Sequence, residues 1–337
     1  MRRSSSLGMK MGKPFTLSQQ FLWAWRVSRF LSKHGKKYEL VHLQGVYLTN
    51  ILAVALFVRT GRVALLPVLE DGDLRMTGTR PVRALKRALY GFAVRSSKVG
   101  FALSPGIKRE LDSFGVPSSI QIGNVVDTST FRRLREFGDD SNLTLGFVGK
   151  LGVIKRPHLV LETLAELHGR GLHARAVFVG PFENDDYERF FYQRAKELTL
   201  EDHVRVVGFT SEVSDFVNRE MDLFVLASSS EGLPGALAEA MASGIPAIVT
   251  DVGGMASIVR AADCGVIVSG DAVSISDAIE KVVRLPNELS RLSENGRRYA
   301  LENFSDRIVA MRYMQNATSQ TNTATQLRTP TRDCSKP

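Results

Sequence analysis

From near residue 40 to near residue 314, short apolar runs alternate with segments whose apolar positions recur every three or four residues. Short unbroken runs suit strands buried on both faces, and the 3.6-residue period marks helices with one buried side. The first half reads as helix over 17–34, strand over 39–43, helix over 50–57, strand over 62–69, helix over 81–94, strand over 99–103, helix over 105–114 and strand over 120–122. Polar, charged residues 132–142 suit an interdomain linker. A second series of strands follows over 145–148, 174–179, 204–207, 223–227, 247–249 and 265–268. Its helices fall over 157–168, 187–198 and 213–218, then from Leu233 to the stop at Gly244 and Pro246, then over 272–284, 286–303 and 306–314. Such βα alternation predicts parallel sheets sheathed by helices, an α/β protein, and 337 residues suffice for two domains. Residues 1–14 lack periodicity, and the Thr, Asn, Gln and Ser beyond 315 predict a disordered tail.

Composition is that of a globular chain, 44% hydrophobic and 23% charged. Two cysteines, Cys264 and Cys334, give no disulfide framework and fit reduced thiols in a cytoplasmic protein. No apolar run reaches membrane-spanning length, and no apolar signal core follows Arg2 and Arg3. Charge is uneven: residues 1–140 hold 23 Lys and Arg against 10 Asp and Glu, whereas the remainder holds 21 against 25. A basic first half implies an anionic partner. Helix 81–94, with Arg80, Arg83, Lys86 and Arg87 along it, is the candidate for an anionic membrane surface, which would make the protein peripheral on the inner face of the membrane. Nucleic acid is disfavoured because no known binding motif occurs. The six scattered histidines and the absence of C-x-x-C argue against a structural metal site. No G-x-x-x-x-G-K-[ST] and no strand followed by G-x-G-x-x-G is present, which sets aside P-loop kinases and dinucleotide dehydrogenases.

The chemistry concentrates in Glu231–Gly254, EGLPGALAEAMASGIPAIVTDVGG. A buried strand, a turn of small residues, a helix opening at Leu233, Pro234 and Gly235 and a further strand aim loop amides and a helix start at one spot, an arrangement that suits phosphate. Glu231 in the turn and Glu239 two helical turns on can line one cleft wall. Carboxylates there suit sugar hydroxyls, not phosphate. A solvated surface pair on an ordinary crossover is the plainer alternative. Upstream, Gly149, Lys150 and Lys155 sit after a strand end, where open α/β sheets bind ligands. Two lysines there can neutralise a departing diphosphate or merely be solvated.

The run S-S-S-E-G-L-P-x-x-L-x-E-A-M-A-S-G-x-P resembles the E-x7-E donor signature of retaining glycosyltransferase family 4, among the group 1 glycosyltransferases. The resemblance implies a GT-B fold: two Rossmann-like domains with a cleft between them, the first shortened at its N-terminus. It implies an incomplete acceptor-side domain over 1–140, a nucleotide-sugar domain over 141–304, a closing helix over 305–316 packed back on the first domain, and a disordered tail over 317–337. The implied activity is retaining transfer from a UDP- or GDP-sugar to an acceptor hydroxyl, sugar or lipid-linked, in cell-surface polysaccharide or glycolipid synthesis, with no metal or other cofactor. Glu239 would hold the donor ribose, Glu231 would face the donor sugar, and Leu233, Pro234 and Gly235 would offer backbone. Lys150 and Lys155 would stabilise the diphosphate. Lys150 stands where the family carries Arg, keeping the charge without the bidentate fork. Phe209, in Val206-Val207-Gly208-Phe209, falls where the family approaches the base. Asn124-Val125-Val126-Asp127 resembles the family's N-G-V-D, making Asn124 a structural residue. On the acceptor side, His42, Glu70 and Asp71 are the candidates. Asp71-Gly72-Asp73 also reads as a D-x-D, a metal-holding motif of another glycosyltransferase class. Family members begin with a strand and Gly-rich loop that have no counterpart before Glu39. Two other readings therefore stay open: a truncated, non-catalytic homologue or partner subunit, and a sugar-nucleotide epimerase.

Overall fold

A computed structural model describes residues 17–34, 37–38, 41–44, 63–66, 80–103, 105–116, 118–134, 137, 143–285 and 287–326. The helix expected over 50–57, Glu70, Asp71, the D-x-D, Cys334 and the end of the tail lie outside them.

Among the described residues, the first domain contains α1 (Leu17–His34) and four strands, β1 (Val41–Gln44), β2 (Val63–Leu66), β3 (Val99–Ala102) and β4 (Ser119–Gln121). They pair in parallel in the order β1-β2-β3-β4. Helices α2 (Arg80–Ser96) and α3 (Pro105–Ser113) flank β3. A sheet that advances in one direction with right-handed crossovers places its crossover helices on one face. The packing agrees. Leu31 of α1, Tyr90, Ala93 and Val94 of α2, and Ile107 and Leu111 of α3 share one core with Ala102 and Leu43. Val99 and Phe101, pointing the other way as strand alternation requires, pack with Ile122 and Val309.

The second domain is a six-stranded parallel sheet, built from β5 (Leu143–Val148), β6 (Ala174–Val179), β7 (Val204–Gly208), β8 (Leu223–Leu226), β9 (Ala247–Thr250) and β10 (Gly265–Val268). Its order is β10-β9-β8-β5-β6-β7. Strands β5, β8 and β9 are buried at every position, as expected of a sheet covered on both sides. The covering helices are α4 (His158–Gly169), α5 (Asp185–Glu197), α6 (Val213–Glu220), α7 (Gly235–Ala242), α8 (Gly253–Ala262), α9 (Ala272–Arg284) and α10 (Glu288–Asn303). Helix α8 is not among the sequence expectations, although Met255, Ile258, Val259 and Ala262 stand at helical spacing and are all buried.

The chain then crosses back. Ser305 bridges to Val126, and α11 (Asp306–Gln326) lays Val309 and Tyr313 on the first sheet. This helix runs past 316, into residues expected to be disordered. The chain is held where it enters the linker: Asn218 accepts from the Arg132 amide (2.9 Å) and donates to Thr130 O (2.8 Å). The Arg297 guanidinium donates to the carbonyls of Thr128, Phe131 and Ala242. Among the described residues no helix is long and apolar enough to cross a membrane.

Candidate active site

In the second sheet the chain proceeds from β5 outward to β7, then returns to lay β8 on the other side of β5. The carboxyl ends of β5 and β8 therefore flank the point where strand order reverses, the place where open α/β sheets form a ligand crevice. Gly149 to Arg156 follow β5, and Ser228 to Pro234 follow β8. Seventy-odd residues apart in sequence, the two loops are stitched together.

The central contact is the ion pair between Lys155 Nζ and Glu231 Oε1. Both side chains are mostly covered, 23% and 14% exposed. Ser228 Oγ donates to the same carboxylate oxygen at 3.1 Å. Gly149, at φ +143°, makes room for this arrangement, since a Cβ there would lie 3.0 Å from Lys155 Cδ. Lys150 next to it is exposed and makes no ion pair among the described residues.

Arg156 clamps the two loops. Its Nε donates to Ala227 O at 2.7 Å and its Nη2 to Ser228 O at 3.4 Å. It does so from a left-handed backbone, φ +48°, a conformation that costs a residue with a side chain about 1–2 kcal/mol. Thr250 Oγ1 also donates to Ser228 O, at 2.7 Å, and Ser229 N donates to Ile154 O at 2.8 Å. Gly253, at φ +55°, lets α8 start against the turn: a Cβ there would run into the Glu231 carbonyl oxygen, and Gly254 N donates to Gly232 O at 2.9 Å.

Helix α7 begins at Gly235 behind an extended Pro234, with no side chain capping its first turn; the Leu237 amide donates to Pro234 O at 3.1 Å, which leaves the Gly235 and Ala236 amides without helical partners. Leu237, Ala238, Ala240, Met241 and Ala242 are buried. Glu239 is half-buried on the same helix, and burial pushes its carboxyl above the ordinary value of 4.5. Leu233 and Pro234 are buried and Gly235 is exposed. The Leu233 carbonyl accepts from Asn124 Nδ2 at 2.7 Å. Asn124 thereby ties the end of the first domain to the turn.

Phe209 lies at the same rim, 85% exposed. Gly149 N donates to Val179 O and Gly180 N to Gly208 O, both at 2.9 Å, so Phe209 follows a strand two places from β5, about 10 Å away. His42 stands apart from this group, on the face of the first sheet that α11 covers. Its Nδ1 meets Tyr313 Oη at 3.1 Å, and its ring lies 5.9 Å from Phe101. Burial of that ring face lowers its pKa below 6.5. Cys264 is buried, its thiol pushed up to about 12, well away from reactive thiolate behaviour.

Sequence reasoning assigned no function to Arg156 or to Gly253. A basic residue directly after Lys155 and paired glycines before an apolar-periodic run were the available signals.

A family model of glycosyl transferases group 1 matches residues 130–299. A D-inositol 3-phosphate glycosyltransferase of Rhodococcus erythropolis is 31% identical over 180 residues, which are 50% of this chain and 39% of that protein. N-acetyl-alpha-D-glucosaminyl L-malate synthase of Bacillus anthracis is 27% identical over 263 residues, 74% of this chain and 66% of that protein. This chain thus spans from about two fifths to two thirds of such relatives' lengths. The crystal structure of Anabaena HepE in complex with UDP superposes with a TM-score of 0.73 at 18% identity, covering 88% of this chain and 82% of that one. The shared architecture is the GT-B fold.

Proposed function

The chain belongs to the group 1 glycosyltransferases, and from that premise we propose that it moves a sugar from a UDP-sugar to an acceptor hydroxyl with the anomeric configuration kept, as family 4 enzymes do. The observation that carries the reading is the Lys155–Glu231 pair, braced by Arg156 and Ser228 at the strand-order reversal. A diphosphate leaving group develops negative charge, and fixed cations lower the barrier most when they stand ready beforehand. Lys155 is held in place by its partner, and exposed Lys150 adds a second positive charge beside it. The open amides at the start of α7 add donors for the phosphates. Glu231 is oriented by two donors and accepts from donor-sugar hydroxyls. Glu239 accepts from the ribose, most strongly in its ionised form. Phe209 supplies a face against which a base can stack. The described strands of the first sheet run in sequence order without reversal, so the switch-point crevice belongs to the second domain and the acceptor comes to it from the first. UDP is favoured as the nucleotide because it is the ligand bound in HepE. The acceptors are those of surface polysaccharide or glycolipid assembly.

The test is turnover of a panel of UDP-sugars followed by NMR of the transferred or hydrolysed sugar at its first appearance. The proposal expects the donor's own α or β configuration. Initial release of the opposite anomer overturns the retaining assignment.

A further inference from the structure

The helical face of the first domain has an outer surface that the fold does not use. Helix α1 spends Ala24, Ser28 and Leu31 on the domain core. Its outward side keeps Phe21, Leu22, Trp25 and Phe30 between 46% and 61% exposed. Four large apolar side chains left in water on one helix are more than the scattered exposure a monomer ordinarily shows. Arg26, Arg29 and Lys33 stand among them, and the Arg29 guanidinium lies over the Trp25 ring at 5.3 Å. Helix α2 repeats the pattern on the same side of the sheet. Leu85 and Phe92 are exposed at 61% and 41%, beside exposed Arg80, Arg87 and Arg95. Neither helix contains an Asp or Glu.

We propose that this outer face is a docking surface for an anionic lipid bilayer, with α1 and α2 lying in the membrane plane, the aromatic and leucine side chains entering the headgroup boundary and the arginines and lysine meeting lipid phosphates. Charge complementarity selects this occupant. A protein partner or a second copy would have to bring the negative charge that both helices lack, whereas a second copy of this face brings only more positive charge. The mixture of aromatic and basic side chains on one exposed side is also the composition that settles at a bilayer interface. The surface extends the sequence expectation from helix 81–94 to α1, whose aromatic–basic interleaving that expectation passed over. The inference stands independently of sugar transfer.

Both tryptophans of the chain, Trp23 and Trp25, lie on α1, so intrinsic fluorescence reports on this helix alone. The full chain is mixed with vesicles of neutral phosphatidylcholine, or of phosphatidylcholine with phosphatidylglycerol, and followed by flotation and tryptophan emission. The proposal expects flotation and a blue shift with the anionic vesicles only, both reversed by molar salt, where screening shortens to about 3 Å. Arg26→Gln, Arg29→Gln and Lys33→Gln combined should lower partitioning roughly 100-fold, at about five-fold for each charge removed. Phe21→Ser with Trp25→Ser should weaken it while circular dichroism stays unchanged, Trp23 remaining as reporter. Equal binding to neutral vesicles, flotation without any emission change, absence of binding at low salt, or an emission shift that instead tracks self-association by light scattering would each overturn it.

Discussion

Replacing Lys155 by methionine keeps much of the side chain's volume and removes its charge. Glu231 then loses its ion pair and retains only Ser228 Oγ, at 3.1 Å. Breaking a fully buried pair costs about 3–5 kcal/mol, and a fully exposed pair is worth about 0–1 kcal/mol. With 23% and 14% of the two side chains exposed, this pair lies between those limits. The expected loss is about 1–2 kcal/mol, arising mainly from the carboxylate left without its cation. Glu231→Gln should cost less, because an amide oxygen still accepts from Ser228 and Lys155 can reach water. The double variant should recover most of the stability lost by Lys155→Met, giving a coupling energy of about 1–2 kcal/mol in a double-mutant cycle. Equilibrium urea unfolding of the four proteins measures it. UDP affinity should separate from stability: the double variant refolds the balance of charges yet still lacks the diphosphate's cation, so its binding stays weak. Strictly additive single effects, with a coupling below about 0.3 kcal/mol, would refute the reasoning that these two groups hold one another in place.

Other outcomes follow from neighbouring residues. Arg156→Gly relieves the left-handed backbone but removes the clamp on Ala227 and Ser228. Unfolding free energy should stay within about 1 kcal/mol of wild type, while UDP affinity measured by calorimetry falls about ten-fold, the worth of one charge-assisted hydrogen bond. Gly253→Ala forces a Cβ into the Glu231 carbonyl and should cost at least 1 kcal/mol or so in urea unfolding, beyond the penalty of a positive φ alone. Glu239 has its carboxyl raised by burial, and a folded pKa above the unfolded value makes stability present below 4.5 fall as pH rises through the folded pKa. Glu239→Gln should therefore be more stable than wild type at neutral pH. Wild-type UDP affinity should fall on acidification at a pH above that expected of an ordinary glutamate, and the variant's should be weak and flat.

Much of the second domain was legible before any coordinates. Its central strands β5, β8 and β9 are buried on both faces and read as short, largely apolar runs, and the boundaries at Ala174–Val179 and Ala272–Arg284 coincide with the expected ones. The E-x7-E segment also announced a strand–turn–helix unit, which β8 and α7 form. Helix α8 escaped because its two leading glycines read as a loop, although its apolar spacing is helical. What no local pattern could reveal were contacts between distant positions. Lys155 finds Glu231 only because the strand order returns to β5, and Asn124 finds Leu233 only because the two domains meet there. The tail was read as disordered from its polar composition, yet α11 runs to Gln326.

The reading of this fold as a nucleotide-sugar enzyme rests on a donor site at the carboxyl ends of β5 and β8. Calorimetric titration of the full chain with UDP and with GDP, beside Glu239→Ala and Lys155→Met, tests that site most directly. The account predicts saturable UDP binding, weaker or absent GDP binding, and loss of at least ten-fold in affinity in each variant, the equivalent of about 1.4 kcal/mol. A folded wild-type chain that binds neither nucleotide, or variants that bind UDP as tightly as wild type, would contradict it.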